Sequence, residues 1–311
     1  MSVTEMLREE FAGQTFTMQD AYRVAGGMAK APSIRARIYE GLKNNVFLRL
    51  SKGVYATVCT SEDGTESDCI LVHGDGRDLS FLKDGSVDAI ITDHPYALRG
   101  ALKGGNRDFA SYELFQYTEK DFREKYRVLK EGAFLVEFLP EESAENFEYV
   151  TRVKQMAMEA GFIYYSKVPW QKGSFVANTG RKAKNAEDVM FFTKGKARSI
   201  RPDAKKDKAE PDKKHFMSGA NGMLPAAFNF DPPGKKERIH QAEKPLALLE
   251  SIVKYVPRPG EWLLDQFAGS GVLGAACMNL GRHCLMVEKD DTAVENIAAR
   301  LQMGRVEMAT T

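Results

Sequence analysis

The sequence predicts an α/β protein, a Rossmann-like and largely parallel sheet preceded by a small separate domain. Three observations lead there. Short apolar or β-branched runs (Ile70-Leu71-Val72, Val87 to Ile91, Leu263-Leu264, Cys284 to Val287) alternate with longer helical patterns, the rhythm of βαβ units whose strands are buried on both faces. Several of these runs stop abruptly in acids or glycines: Gly74-Asp75, Asp93-His94-Pro95-Tyr96, Asp265 to Gly271, and Glu288. Ligands of open α/β sheets bind outside the carboxyl ends of the strands, where such residues would lie. Residues 1–60 have a different texture, helix then helix then hairpin, and read as a domain of their own.

Composition bounds the function. The chain has 311 residues, 43% hydrophobic and 28% charged, with a formal net charge of +1. That suits one large α/β domain plus an appendage, and any nucleic-acid contact must come from local basic surfaces rather than a global field. No apolar run is long enough for a membrane span, and the N-terminus has neither the basic nor the apolar region of a signal peptide. Cys59, Cys69, Cys277 and Cys284 lack metal-ligand spacing; reduced cysteines in a cytoplasmic protein without zinc are expected. There is no internal repeat.

In chain order, Thr17 to Tyr22 suggests an N-capped helix. In the next helix Ile34, Ile38 and Leu42 share a face while Arg35, Arg37 and Lys43 point elsewhere. Val46 to Leu50 and Val54 to Val58 form a hairpin around a Ser51-Lys52-Gly53 turn. This order resembles a winged helix-turn-helix, whose second helix enters the DNA major groove; a packing domain with merely solvated arginines fits the same text. Residues 61–68 are acidic and turn-rich, a linker, and residues 69–311 form the main domain. There a short helix is expected over Leu79 to Asp84, and a basic loop with Lys103 and Arg107 follows the Asp93 tetrapeptide. A helix over Tyr117 to Leu129, a strand over Gly132 to Phe138 and a helix over Ser143 to Ala160 come next, the last closed by Gly161. Strands follow at Phe162 to Val168 and Val189 to Thr193, with Trp170 to Lys182 between them as a surface loop. Residues 198–238, with Lys213 and Lys214, are lysine-rich and proline-punctuated. They read as an exposed insertion, either for target recognition along a phosphate backbone or merely solubilising. Pro245 opens a helix to about Tyr255, and Asp291 caps the last helix.

Taken alone, Asp93-His94-Pro95-Tyr96 fits an active site and a strand end with an Asx-turn equally well. The stretch Leu263 to Glu288 is a β–loop–α–β unit whose glycines allow close approach to a ligand, with an acid at the end of the second strand to bind ribose hydroxyls. It is not the dinucleotide fingerprint G-x-G-x-x-G, so nicotinamide is not implied.

Three motifs in fixed order carry a resemblance covering roughly residues 69–305. Asp265-Gln266-Phe267-Ala268-Gly269-Ser270-Gly271 resembles the D-P-F-x-G-S-G loop of amino-methylating DNA methyltransferases. His240-Gln241-Ala242-Glu243-Lys244-Pro245 is similar to their H-P-x-x-K-P, and Asp93-His94-Pro95-Tyr96 to their catalytic [D/N/S]-P-P-[Y/F/W]. The order, catalytic motif first, is that of the circularly permuted β group. The resemblance implies methyl transfer from S-adenosylmethionine to the exocyclic amine of a flipped base in double-stranded DNA, as in restriction-modification. Asp93 at the first position points to adenine N6 rather than cytosine N4. Asp93, His94 (through its backbone carbonyl), Pro95 and Tyr96 would be catalytic, Tyr96 by stacking on the base. Asp265, Phe267, Ala268, Gly269, Ser270 and Gly271 would hold the cofactor, Glu288 its ribose, Asp75 its adenine and Lys244 its carboxylate. Arg35, Arg37, Lys43, Lys52, Lys103, Arg107, Lys213 and Lys214 would contact DNA. His94 and Gln266 stand where the family has proline; His94 is either tolerated or the mark of an unusual substrate. RNA methylation and a DNA-binding protein with an inactive cofactor fold remain as other readings, and a homodimer is left open as a further association.

Overall fold

The computed structural model describes residues 1–11, 15–44, 46–51, 53–57, 67–96, 114–173, 185–200, 223–234, 238–239, 242–301 and 306–307. The N-terminal unit comprises α1 (Val3–Glu10), β1 (Thr15–Thr17), α2 (Met18–Ala25), α3 (Ala31–Lys43), β2 (Phe47–Ser51) and β3 (Val54–Thr57). Ser2 and Thr17 each cap a helix reciprocally with an acid three residues on. The strands pair antiparallel in the order β1-β3-β2. Leu7, Phe16, Ala21, Ile34, Ile38 and Phe47 fill a core separate from that of the remaining chain. The helix expected at Thr17 begins at Met18, the hairpin is present, and α1 and β1 add to the expectation.

The main sheet comprises β4 (Cys69–His73), β5 (Val87–Thr92), β6 (Leu129–Pro140), β7 (Phe162–Gln171), β8 (Ala186–Lys194), β9 (Phe228–Asn229), β10 (Trp262–Asp265), β11 (His283–Glu288) and β12 (Val306–Glu307). Among the described residues their order is β12-β4-β11-β10-β5-β6-β8-β7-β9. From β12 to β6 all neighbours are parallel; β8 is antiparallel to β6 and β7. The helices α4 (Glu119–Val128) and α5 (Phe147–Glu159) contribute Phe122, Val128, Val150 and Val153 to one core together with Ile90 of β5. The second core takes Ala89 and Ile91 of the same strand with α6 (Leu246–Tyr255), α7 (Val272–Asn279) and α8 (Asp291–Leu301). Burial on both faces is why β5 is mostly apolar without alternation, its one acid, Asp88, being paired with Lys130 at 2.7 Å.

The chain steps from β5 outward to β6 on one side and from β10 outward to β11 on the other. The two central strands, β5 and β10, therefore meet at a topological switch point, the crevice that open sheets use for ligands.

Several local expectations are corrected. Leu79 to Asp84 is a run of turns rather than a helix: Asp75 and Asp78 accept the N–H of Arg77 and Ser80 at 2.9 and 3.0 Å, the Asx geometry that competes with helix. Trp170 and Gln171 belong to β7 instead of a surface loop, and Trp170 is buried with its indole N–H donating to Phe230 O at 2.8 Å. Asp290, one residue before the expected cap, caps α8 by accepting the Ala293 N–H at 2.8 Å. The ends of the 198–238 stretch are built into the fold. Arg198 binds Glu261 and the Asp88 carbonyl, Ile200 is buried, and β9 pairs with β7. Likewise Asp68, expected in the linker, already accepts the Cys284 N–H at 2.8 Å through its carbonyl. Most of the linker and residues 201–222 lie outside the described residues.

Candidate active site

The parallel register brings acids to one edge of the sheet. Asp93 follows β5, Asp265 ends β10, Glu288 ends β11, and Glu137 of β6 is paired in register with Thr92. Asp75 lies just beyond β4 and is exposed.

Asp93 is held on one side only. Its Oδ2 accepts from Lys244 Nζ at 2.5 Å, while Oδ1 is buried and has no hydrogen-bond partner among the described residues. Burial raises the affinity of this carboxyl for a proton, and Lys244 opposes that. Lys244 was expected at the cofactor's carboxylate; its ammonium lies instead between Asp93 and Glu187, 3.0 Å from Glu187 Oε2. Burial works against the charge on Lys244, but the two carboxylates outweigh it and hold the ammonium above the ordinary lysine range.

His94 turns away from the crevice and inward. Its ring is 1% exposed, lies 3.9 Å from the Tyr117 ring centre, and its Nε2 meets the Tyr149 hydroxyl at 2.5 Å. Burial, then the charges of Lys125 and Lys244, push its pKa well below the usual histidine value, so the imidazole is neutral. Beneath it Lys125 pairs with Glu137, fully buried, and the Tyr117 hydroxyl donates to Glu137 at 3.3 Å. Burial pushes Glu137 up to about 7, against the pull of Lys125. An ionisable pair this deep is weak evidence for stability by itself; here it underlies the loop that carries Asp93. The side chain of His94 is thus a packing and hydrogen-bonding element.

Phe115, which the sequence reading missed, brackets the tetrapeptide. Its N–H donates to Pro95 O at 3.0 Å, it bridges to Tyr96, and its ring packs 5.4 Å from Phe267. The Arg77 guanidinium lies 4.7 Å over that ring and is held by Asp121 at 2.8 and 2.9 Å. Tyr96 itself is half-buried.

The glycine loop is fastened to β11. Gly269 N–H donates to Glu288 Oε2 at 2.7 Å, and Ala268 N–H to Val287 O at 3.0 Å. Gly269 and Gly271 have φ of 54° and 70°, a region that requires glycine. Ser270 is buried and its carbonyl accepts from Arg300 at 3.0 Å. Gln266, in place of the family's proline, donates its Nε2–H to Gly76 O at 2.7 Å and so joins the loops leaving β4 and β10. Asp265 is fully buried; burial first, then Glu288 and Asp93, push it up to about 8 despite the Phe267 N–H.

Of the expected DNA contacts, Arg35 and Lys43 are exposed on α3, and Arg37 pairs with Glu40 at 2.6 Å. Lys52, Lys103, Arg107, Lys213 and Lys214 lie outside the described residues. Glu187 and Lys172 were also missed, because nothing in their local sequence distinguishes them from strand-edge charges.

Comparisons with known proteins bear on the fold and the family. M.HpaI, a type II methyltransferase of Haemophilus parainfluenzae, is 26% identical over 231 residues, covering 72% of this chain and 70% of that protein. The M1.HpyAVI–SAM complex is similar in fold, with a TM-score of 0.53 and 22% identity over 76% of this chain and all of that one. The cytosine-N4-specific PvuII DNA methyltransferase likewise reaches a TM-score of 0.54 at 17% identity, over 76% of this chain and 86% of that one. Both likenesses speak to the fold alone. The family model described as DNA methylase matches residues 87–300, from the first residue of β5 into α8. With the crevice, the tetrapeptide and the glycine loop inside that span, the chain belongs to the N6/N4 DNA methylase family, amino-methyltransferases that use S-adenosylmethionine.

Proposed function

We propose that this DNA amino-methyltransferase acts at specific sites in double-stranded DNA and methylates adenine N6 of a flipped base, with Asp93 as the principal acceptor at the reacting amine. The observation that carries the reading is the divided state of Asp93, with Oδ2 bound to Lys244 and Oδ1 buried without a partner among the described residues at the β5–β10 switch point. An exocyclic amine is a poor nucleophile because its lone pair is delocalised into the ring. Oδ1 accepting one N–H and the His94 carbonyl accepting the other would localise that pair and stabilise positive charge as it develops on nitrogen. S-adenosylmethionine supplies an electrophilic methyl group on a sulfonium. Alignment of the two reactants accounts for much of the acceleration, and the nitrogen then sheds one proton, for which Oδ1 is already in contact. The base is inaccessible inside a duplex, so it must be extruded, and half-buried Tyr96 is the ring offered for stacking.

The chain's own residues fit the cofactor. Asp265, pushed up to about 8 by burial and by its acidic neighbours, suits a ligand bearing positive charge. Glu288, already ordering Gly269, is the acid for ribose hydroxyls. Phe267, Ala268, Ser270 and Gly271 complete the loop, and Asp75 at the crevice edge is assigned to adenine. Lys244 is assigned to Asp93 rather than to the cofactor. The N-terminal unit is read as a winged helix, supported by its order of helix, strand, helix, helix and hairpin. The exposed Arg35 and Lys43 of α3 are its expected phosphate or groove contacts.

Asp93→Ala is expected to abolish methyl incorporation into duplex DNA while leaving calorimetric S-adenosylmethionine binding near wild type; undiminished turnover would remove the mechanism. The choice of adenine rests on aspartate at the first motif position, and the methylated nucleoside recovered from treated DNA decides it.

A further inference from the structure

A row of alternating charge runs away from the reacting position. Asp93 Oδ2 meets Lys244, Lys244 meets Glu187 Oε2 at 3.0 Å, and Glu187 Oε1 accepts from Lys172 at 2.5 Å. Four places in the chain contribute: the end of β5, the segment before α6, the start of β8 and the residue after β7. None of the four side chains is more than 25% exposed, so solvent screens them only in part. Lys244 is further enclosed by Phe138 and Trp170, whose ring centres lie 5.2 and 5.8 Å from its ammonium. The adjacent Glu243 is tied to Arg300 of α8 at 2.7 Å, which fixes the segment that carries Lys244.

We propose that Lys244, Glu187 and Lys172 are positioning residues that hold Asp93 in one rotamer and in its ionised form, so that Oδ1 alone faces the target amine. This rests on the reading of Asp93 as the amine's acceptor. A carboxylate with both oxygens free would rotate and share its charge with water; bonding Oδ2 to an ammonium removes that freedom. The ammonium alone would be a poor neighbour, because the reaction develops positive charge on nitrogen and a bare cation nearby opposes it. Glu187 answers that by neutralising Lys244 from the far side, and Lys172 in turn stabilises Glu187. With Asp93 included the row carries no net charge, and Oδ1 is the oxygen of Asp93 left for the substrate. Other ionisable groups near this pair are Glu137 of β6 and Asp265 of β10, which act on Asp93, and Tyr96, which acts on Lys244; both carboxyls are pushed up by burial, so at neutral pH they add less negative charge than their number suggests.

The proposal predicts shifts of opposite sign at two positions. Lys244→Met keeps the length and apolar packing of the side chain but removes the ammonium. The acid limb of the kcat–pH profile is expected to move up by about one to three units. Turnover at pH 7 should then fall about tenfold for each unit by which that limb passes pH 7, and partly recover at pH 9. Glu187→Gln keeps a hydrogen-bond acceptor for Lys244 but removes its charge. Asp93 then faces an unbalanced ammonium, so the acid limb moves to lower pH while kcat at the plateau falls. A purely structural role predicts lower activity in both variants with no shift of the limb in either. Turnover is followed with methyl-tritiated S-adenosylmethionine on unmodified duplex DNA of mixed sequence. A carbon-13 titration of aspartate-labelled protein, with Asp93→Asn identifying the resonance, reads the same two shifts without turnover. Should Lys244→Met fail to fold, Glu187→Gln decides alone, and an unmoved limb there overturns the proposal. If Asp93→Ala retains turnover, the underlying reading of Asp93 fails; if Asp93→Ala is inactive but neither variant shifts the profile, only the positioning row fails.

Discussion

Gly76 lies where the loop leaving β4 meets the loop leaving β10, and substituting alanine there tests whether the two loops form one cradle. A Cβ at this position would stand 1.8 Å from the Gln266 carbonyl oxygen and 3.0 Å from Phe267 Cε1. Going from 1.8 Å to an ordinary contact of 3.4 Å requires about 1.6 Å of separation. The obstacle is backbone, which cannot swing aside as a side chain does. Moving the loops apart also opens the 2.7 Å bond from Gln266 to Gly76 O. Overpacking of this kind costs about 1–3 kcal/mol. Borne by the ligand-bound state, that corresponds to about 5- to 150-fold in Kd. Gly76→Ala is therefore expected to weaken S-adenosylmethionine binding by that factor in titration calorimetry and to lower Tm by several degrees. An unchanged Kd with a normal Tm would refute the idea that the two loops hold the cofactor jointly.

Three further outcomes follow from the same geometry. Tyr149→Phe leaves the buried His94 Nε2 without its partner, a loss of about 1–3 kcal/mol in urea unfolding. His94→Pro in the same background should recover part of it, and simple additivity of the two changes would contradict the link. Asp265 is raised in the folded protein from 3.8 to about 8. The native state thus holds a proton that the unfolded chain has released, and the group's contribution to stability is lost as pH rises from 3.8 through about 8. Asp265→Asn should therefore raise the Tm of the ligand-free protein by an amount that grows toward pH 8, whereas a pH-independent difference would count against it. Arg35→Ala should reduce the slope of log K against log salt for duplex binding by about 0.9, and an unaltered slope would remove α3 from the DNA interface.

The frame of the site was legible because its signals are local. Val87 to Ile91 is mostly apolar without alternation since β5 is buried on both faces, and Gly269 and Gly271 are glycines because their φ values demand it. Asp93, Asp265 and Glu288 could be listed together since each ends a strand, and parallel strands put such ends on one edge. What escaped was the second layer around them. Lys244 looks like a helix-start lysine, and Glu187 and Lys172 look like strand-edge charges; only the fold joins these segments to Asp93. The packing of His94 was likewise illegible, since its partner Tyr149 lies 55 residues further along the chain. The Leu79 to Asp84 turns were missed for another reason. Their apolar residues suit a helix, but the Asp75 and Asp78 side chains bind the backbone first.

The most direct measurement is of the product. Unmodified duplex DNA incubated with the protein and S-adenosylmethionine, then digested and examined by nucleoside mass spectrometry, should yield N6-methyladenine, and none when Asp93→Ala replaces the wild type. N4-methylcytosine alone would contradict the proposed base, and N6-methyladenine from the Asp93→Ala protein would contradict the account of how this site works.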